Sequence, residues 1–316
     1  MKSSNGVLIR LLGFAILAIG LSLCQVSAQG TFIVVDSHSG KVLLEHGADR
    51  KVGEMGLTKL TTATVVFDWA KLSGTDLATM ILVPNTVRGG ANPMGLQPGD
   101  QISIRDALYS MLLGSDDVAA TTLGTFVGFS MQKTRGGGGA PIQVFVNEMN
   151  QLSRWLGMTG TRFNSENGMA LRQQNTTTVR DLARISIYAS RNKAMAFFVK
   201  QQKRKISYVR GGQKRAFVVE NKNQLVGKQG VNGLSVGGVG SIALHAEQKA
   251  LVTKLADGRS QVFPRELVVV LLGSPNALGQ GAALLNQGWP ILKGWRQQGM
   301  PVQDHAREML AVPNPK

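Results

Sequence analysis

The sequence predicts an α+β domain whose N- and C-terminal strands share one antiparallel sheet, flanked by helices, with a helical lobe inserted between them. Three observations carry this. β-rich runs occupy Thr31 to Asp36 and Lys41 to Glu45; apolar residues at helical spacing dominate the middle of the chain; and β signals return in the last third, at Ala216 to Val219, Ser241 to His245, Ala250 to Thr253 and Glu266 to Gly273. No internal repeat is visible.

The first 28 residues read as an export signal. Lys2 and Arg10 give a positive start, Leu11 to Leu23 is apolar, and Val26-Ser27-Ala28 resembles a small-residue cleavage site. The apolar run is short for a bilayer span, which favours cleavage after Ala28 over a retained anchor. Leu23 is too bulky for Leu21-Ser22-Leu23-Cys24 to be a lipid-attachment site. The expected organisation is a signal at 1–28, a domain at 31–290 and a C-terminal tail at 291–316, loosely held from Pro301 to Lys316, in the periplasm or cell envelope, with no membrane span once the signal is removed.

Ser37-His38-Ser39-Gly40 is turn chemistry, so the first two strands form a hairpin. Leu57 to Lys71 fits a largely buried helix that tolerates Thr61, Thr62 and Thr64. Ile81 to Val87 is extended and Pro93 to Asp100 is a turn-rich loop. Ser103, with Asp106 three residues on, caps a helix to Leu113, and Thr178 with Asp181 caps another to Tyr188. Gln132 to Pro141, holding Gly136 to Gly139, is a loop. It is not a phosphate cradle, because Ala140-Pro141 follows where a lysine and a hydroxyl are needed. Helical periodicity runs from Ile142 to Leu156 and again from Ala277 to Trp289.

Composition removes several chemistries. Signal cleavage leaves 288 of the 316 residues and takes away Cys24, the sole cysteine, so disulfides, thiol catalysis and cysteine-bound metals are excluded. His38, His46, His245 and His305 are scattered, with no H-E-x-x-H, so no metal and no cofactor is expected. The formal charge of +16 becomes +14 without Lys2 and Arg10, and part of it lies in Lys200 to Arg215. For an exported protein the partner this implies is an anionic cell-wall or envelope polymer rather than nucleic acid. A solvated basic hairpin with no specific partner explains the same segment.

Several short motifs, in order, resemble the low-molecular-mass penicillin-binding proteins, the serine D-alanyl-D-alanine carboxypeptidases with a β-lactamase-like fold. They are V-D-S-H-S-G-K-V-L (Val35 to Leu43), G-L-T-K (Gly56 to Lys59), L-Q-P-G-D (Leu96 to Asp100), S-D-D-V-A-A (Ser115 to Ala120), L-G-M-T-G-T-R-F (Leu156 to Phe163), N-G-M (Asn167 to Met169) and N-K-N-Q-L-V (Asn221 to Val226). The resemblance spans Thr31 to Trp289 and lacks the β-rich second domain of many members.

That resemblance implies three active-site motifs in one cleft, and each is altered here. In the first, S-x-x-K, Lys59 keeps the base position but Gly56 stands at the nucleophile position. In the second, S-x-N, Ser115 matches the serine, while Asp117 replaces an asparagine that should donate to substrate; a carboxylate only accepts. In the third, K-T-G, Ser235 and Val236 replace the cation and hydroxyl that would hold a substrate carboxylate, and Gly237 persists. Thr58 faces about 200° round the helix from position 56 and Thr62 lies a turn beyond Lys59, so neither substitutes for the lost hydroxyl. Lys59, relieved of its role, is a candidate partner for Asp117.

The leading expectation is therefore an inactive homologue that binds peptidoglycan or an envelope protein. The alternatives are a hydrolase with an unrecognised nucleophile or a Lys59-activated water, and a scaffold that binds only proteins. Gly56→Ser combined with Ser235→Lys, Val236→Thr and Asp117→Asn is the combination expected to regain slow acylation.

Overall fold

A computed structural model of the protein describes residues 30–54, 56–136, 138–169, 173–238, 240–254 and 257–315. The proposed signal lies outside the described residues. The elements run β1 (Thr31–Asp36), β2 (Val42–His46), β3 (Val52–Glu54), α1 (Thr58–Ser73), β4 (Met80–Leu82), β5 (Gln101–Ser103), α2 (Ile104–Gly114), α3 (Asp117–Arg135), α4 (Pro141–Trp155), β6 (Asn175–Thr177), α5 (Val179–Arg191) and α6 (Lys193–Val199). They continue with β7 (Lys203–Arg210), β8 (Gln213–Glu220), β9 (Val231–Val236), β10 (Ile242–Lys254), β11 (Ser260–Leu272), α7 (Ala277–Gln297) and α8 (His305–Glu308).

The main sheet has the order β2-β1-β11-β10-β9 and is antiparallel throughout, with Thr31 opposite Leu272 and Asp36 opposite Leu267. The two ends of the chain meet in one sheet, as its β signals predict. Alternate residues of the central strands enter different cores: Val34, Leu267, Val269 and Leu271 pack beneath α7, while Ile33, Val35, Val268 and Val270 join the helical lobe. Both faces are covered over Leu267 to Leu272, which is why that half of β11 reads as an unbroken apolar run.

Helix α1 is buried from Thr58 to Ala70 on every side, so its sequence shows no polar face. Two of its threonine hydroxyls have acceptors: Thr64 Oγ1 donates to the Leu60 carbonyl at 2.8 Å and Thr62 Oγ1 to the Glu166 carbonyl, while Thr61 Oγ1 is buried without a partner among the described residues. Ser103 and Thr178 cap α2 and α5 through the amides of Asp106 and Asp181, each at 3.0 Å, as their spacing predicts.

Helix α3 is not among the elements assigned from the sequence, since Thr121, Thr122, Gly124, Thr125 and Gly128 give it weak intrinsic propensity. Tertiary contact decides it. The Cβ positions of Gly124 and Gly128 fall against Ile142, Phe145 and the Pro141 carbonyl, so the glycines are what lets α4 approach. The expected loop from Gln132 begins only after Arg135. The basic segment is a hairpin, β7 and β8, turning at Gly211-Gly212, in the small sheet β4-β5-β7-β8.

Two expectations are corrected here, the end of the last helix at Trp289 and the loosely held end from Pro301. Helix α7 continues through Pro290 to Gln297. Beyond it, Leu310 is buried and its amide donates to the Gly40 carbonyl at 2.8 Å, while Arg184 and Arg191 donate to the carbonyls of Ala311 and Val312 at 2.9 and 2.7 Å. The acceptors are backbone carbonyls, which the sequence of the tail does not reveal. Among the described residues, no helix is long and apolar enough to cross a membrane.

Candidate functional site

The N-terminus of α1, the α2–α3 junction and the end of β9 converge, so the three altered motifs do share one place in the fold. Gly56 lies just before α1, against the chain where β9 ends. A Cβ built on Gly56 falls on the Gly238 amide nitrogen and on the Gly237 Cα and carbonyl carbon, well inside the 3.0 Å that real Cβ atoms keep. The obstructing atoms are backbone, which cannot rotate aside as a flexible side chain can. A Cβ on Gly237 would likewise meet the Leu57 amide at 3.0 Å. Two glycine segments therefore close on each other where the first motif has lost its serine.

Lys59 is buried in the first turn of α1. Its ammonium pairs with Asp117 Oδ1 at 2.5 Å and donates to the Asn167 carbonyl at 2.9 Å. Asp117 opens α3, and its other oxygen, Oδ2, accepts the Ala91 amide at 2.7 Å while its own amide donates to the Ala91 carbonyl at 2.7 Å. This pair of bonds lays the 89–91 loop across the carboxylate. Gly90 has φ +88°, and a Cβ there would come within 2.5 Å of Asp117 Oδ2, so the close approach requires glycine. The pairing of Lys59 with Asp117 inferred from the sequence is present.

Ser115 is half-buried in the left-handed region, φ 58° and ψ 42°, at the end of α2. The next residue, Asp116, is fully buried as the N-cap of α3: it accepts the Ala119 amide at 2.9 Å and the Ser110 hydroxyl at 2.7 Å, and burial pushes its carboxyl above the ordinary range. On β9, Ser235 is buried opposite Ala243, and Val236 lies opposite Ile242, packed against the core beneath α7. Thr58 and Thr62 are engaged elsewhere. Thr58 Oγ1 accepts the Asn175 amide group at 2.9 Å, and Thr62 Oγ1 donates to the Glu166 carbonyl at 2.5 Å.

The structure adds Glu166, Thr121 and a cavity that the motifs do not indicate. Asn167 Nδ2 donates to Thr121 Oγ1 at 3.2 Å, and Thr121 donates to Glu166 Oε1 at 2.5 Å. A cavity of about 440 Å³ opens beside them, lined also by Arg88, Ile142, Val146 and Met169. Nothing in the spacing of Ser165-Glu166-Asn167 marks the acid as buried, because it is the fold of the 164–169 loop over α1 and α3 that encloses it. Among the described residues no group of three His, Cys, Asp or Glu side chains could hold a metal ion.

Burial raises the Glu166 carboxyl above its ordinary value of 4.5, with Thr121 and Lys59 opposing the shift and Asp117 adding to it. An unfolded chain then loses this proton first as pH rises, so stability falls from about pH 4.5 up to the raised folded value. Glu166→Gln should remove that slope. In urea melts the variant is expected to match the parent near pH 4 and to exceed it at pH 7; a stability difference that is the same at both pH values would show that Glu166 ionises freely in the fold.

The sequence profile of peptidase family S11, described as D-alanyl-D-alanine carboxypeptidase, matches residues 21–248. A D-alanyl-D-alanine endopeptidase of Pseudomonas aeruginosa is 35% identical over 168 residues, 53% of this chain and 49% of that protein. The D-alanyl-D-alanine carboxypeptidase DacC of Escherichia coli is 31% identical over 159 residues, 48% of this chain and 37% of that protein. The chain thus spans half or less of the length of these curated relatives. Among solved structures, the Streptomyces K15 DD-transpeptidase superposes with TM-score 0.64 at 22% identity, covering 81% of this chain and 94% of that one. Penicillin-binding protein D2 of Listeria monocytogenes, solved in its ampicillin-bound form, gives 0.62 at 22%, covering 82% and 96%. At that identity the likeness speaks for the fold.

Proposed function

Because this chain belongs to the D-alanyl-D-alanine carboxypeptidase family, we propose that it is a non-catalytic member, exported to the envelope, that works by binding peptidoglycan. The observation that carries the reading is the contact at Gly56. Acyl transfer by this family's motif chemistry needs a nucleophile beside a base, and here the nucleophile position has neither an oxygen nor room for one. Lys59 is moreover held by Asp117 and the Asn167 carbonyl, so its contacts are to acceptors within the fold. Ser235 and Val236 supply no cation for a terminal carboxylate.

Incubation of the natural protein with a penicillin, followed by mass spectrometry of the intact chain, tests this. No covalent adduct is expected, and no D-alanine release from a D-alanyl-D-alanine peptide. A stoichiometric mass increase mapping near Lys59 would instead establish a hydrolase with a different nucleophile.

The basic hairpin supports the envelope partner. Between Lys193 and Lys228 the chain carries ten basic residues against one acid, Glu220. Arg210 is paired with Asp100 at 2.6 Å and Arg204 lies over the Tyr109 ring, but Lys203, Lys205 and Lys214 are exposed. The strand register places these three on one face of β7 and β8. Replacing all three by Ser should weaken pelleting with purified peptidoglycan-bearing wall fragments at low salt, with the difference vanishing at high salt. Pelleting equal to the parent at low salt would leave the hairpin merely solvated.

A further inference from the structure

Glu166 is a buried acid to which no described residue supplies a paired cation. It is only 5% exposed, and its one side-chain partner among the described residues is the Thr121 hydroxyl on Oε1. Lys59, whose field it feels, is already in contact with Asp117 Oδ1 and the Asn167 carbonyl. No ion pair among the described residues includes Glu166. Arg88, which lines the same cavity, donates through Nη1 to the carbonyls of Asn85 and Val87 in its own loop.

An ionised carboxylate enclosed in this way is costly unless a positive charge meets it. With no such charge paired to it among the described residues, a retained proton or a cation brought from outside would each relieve that cost. The cavity makes the second available: it reaches Glu166 from solvent, offers Ile142, Val146 and Met169 as an apolar wall, and carries the amides of Gln143, Asn164 and Asn167 around its polar side. A short carbon chain ending in an ammonium group matches that division, whereas an anion would meet Glu166 with like charge. One carboxylate is too few for a metal ion, but a single carboxylate with neighbouring amide oxygens suits the three donors of an ammonium.

We propose that the cavity over Glu166 is a binding site for a primary alkylammonium group, with its charge on the Glu166 carboxylate and its chain along Ile142, Val146 and Met169. The site stands apart from the Gly56 contact, so it does not depend on whether the chain is catalytic, and its failure would leave the penicillin experiment untouched.

The test is an NMR titration of the full chain carrying 13C-methyl labels on Ile, Val and Met, with n-butylammonium chloride as probe and butan-1-ol as its uncharged match. The amine is expected to shift the Ile142, Val146 and Met169 methyls saturably, at least about tenfold more tightly than the alcohol, the ratio that a hydrogen bond to a charged group commands. Glu166→Gln, which keeps the volume and the acceptor for Thr121, should reduce amine affinity by about the same factor and leave alcohol binding unchanged. Absence of methyl shifts up to tens of millimolar amine, amine and alcohol affinities less than tenfold apart, or undiminished amine binding by a folded Glu166→Gln would each overturn the assignment. The comparison of amine with alcohol uses the natural protein, so it stands even if the variant does not fold.

Discussion

Asp117→Ala should lower unfolding free energy by about 3–5 kcal/mol, because it leaves the Lys59 ammonium buried without its counter-ion. Both side chains are nearly inaccessible and the pair is in direct contact, so solvent does little to screen the loss. Lys59→Ala should cost a similar amount, for the complementary reason. The double replacement Lys59→Met with Asp117→Leu removes both charges and keeps the volume, and should recover most of the stability. What remains lost is the acceptor for the Ala91 amide, about 1 kcal/mol. Urea unfolding of the three variants decides the point: additive losses in the double variant would show that the two charges do not act on each other in the folded chain.

Gly56→Ser should destabilise by about 3 kcal/mol, a loss of roughly 6–12 °C in melting temperature, and should not create an acylating enzyme. The added Cβ and hydroxyl enter space held by the backbone of Gly237 and Gly238, so α1 or the end of β9 must move. This corrects the expectation that Ser235→Lys, Val236→Thr and Asp117→Asn would rescue such a variant. Those substitutions add side-chain donors but leave the obstructing backbone in place, and Asp117→Asn also withdraws the counter-ion of Lys59. Calorimetry of Gly56→Ala and Gly56→Ser provides the check, since a melting temperature unchanged in both would mean the contact opens freely and the nucleophile position is accessible after all.

The altered motifs were legible because chemistry is written in residue identity. A glycine where a nucleophile is needed, or a carboxylate where a donor is needed, is visible without coordinates. The caps at Ser103 and Thr178 were legible for a similar reason: a side chain bonding an amide three residues on is local. Helix α3 was hidden because its glycines lower propensity in isolation and earn their place only against α4. The docked C-terminus was hidden because Arg184 and Arg191 bind backbone carbonyls of the tail, which have no residue identity.

The sequence by itself determined the α+β class, the meeting of the chain's two ends in one sheet and the loss of Ser, Asn, Lys and Thr side chains from the three motifs, because periodicity and side-chain chemistry are properties of the residues alone. Only the tertiary structure decided what became of the space those side chains left. The Gly237-Gly238 backbone closes on Gly56, the 89–91 loop lies across Asp117, and a separate cavity opens over Glu166. Each depends on how segments far apart in the chain approach one another, and a glycine, having no side chain, permits an approach without specifying which segment will make it.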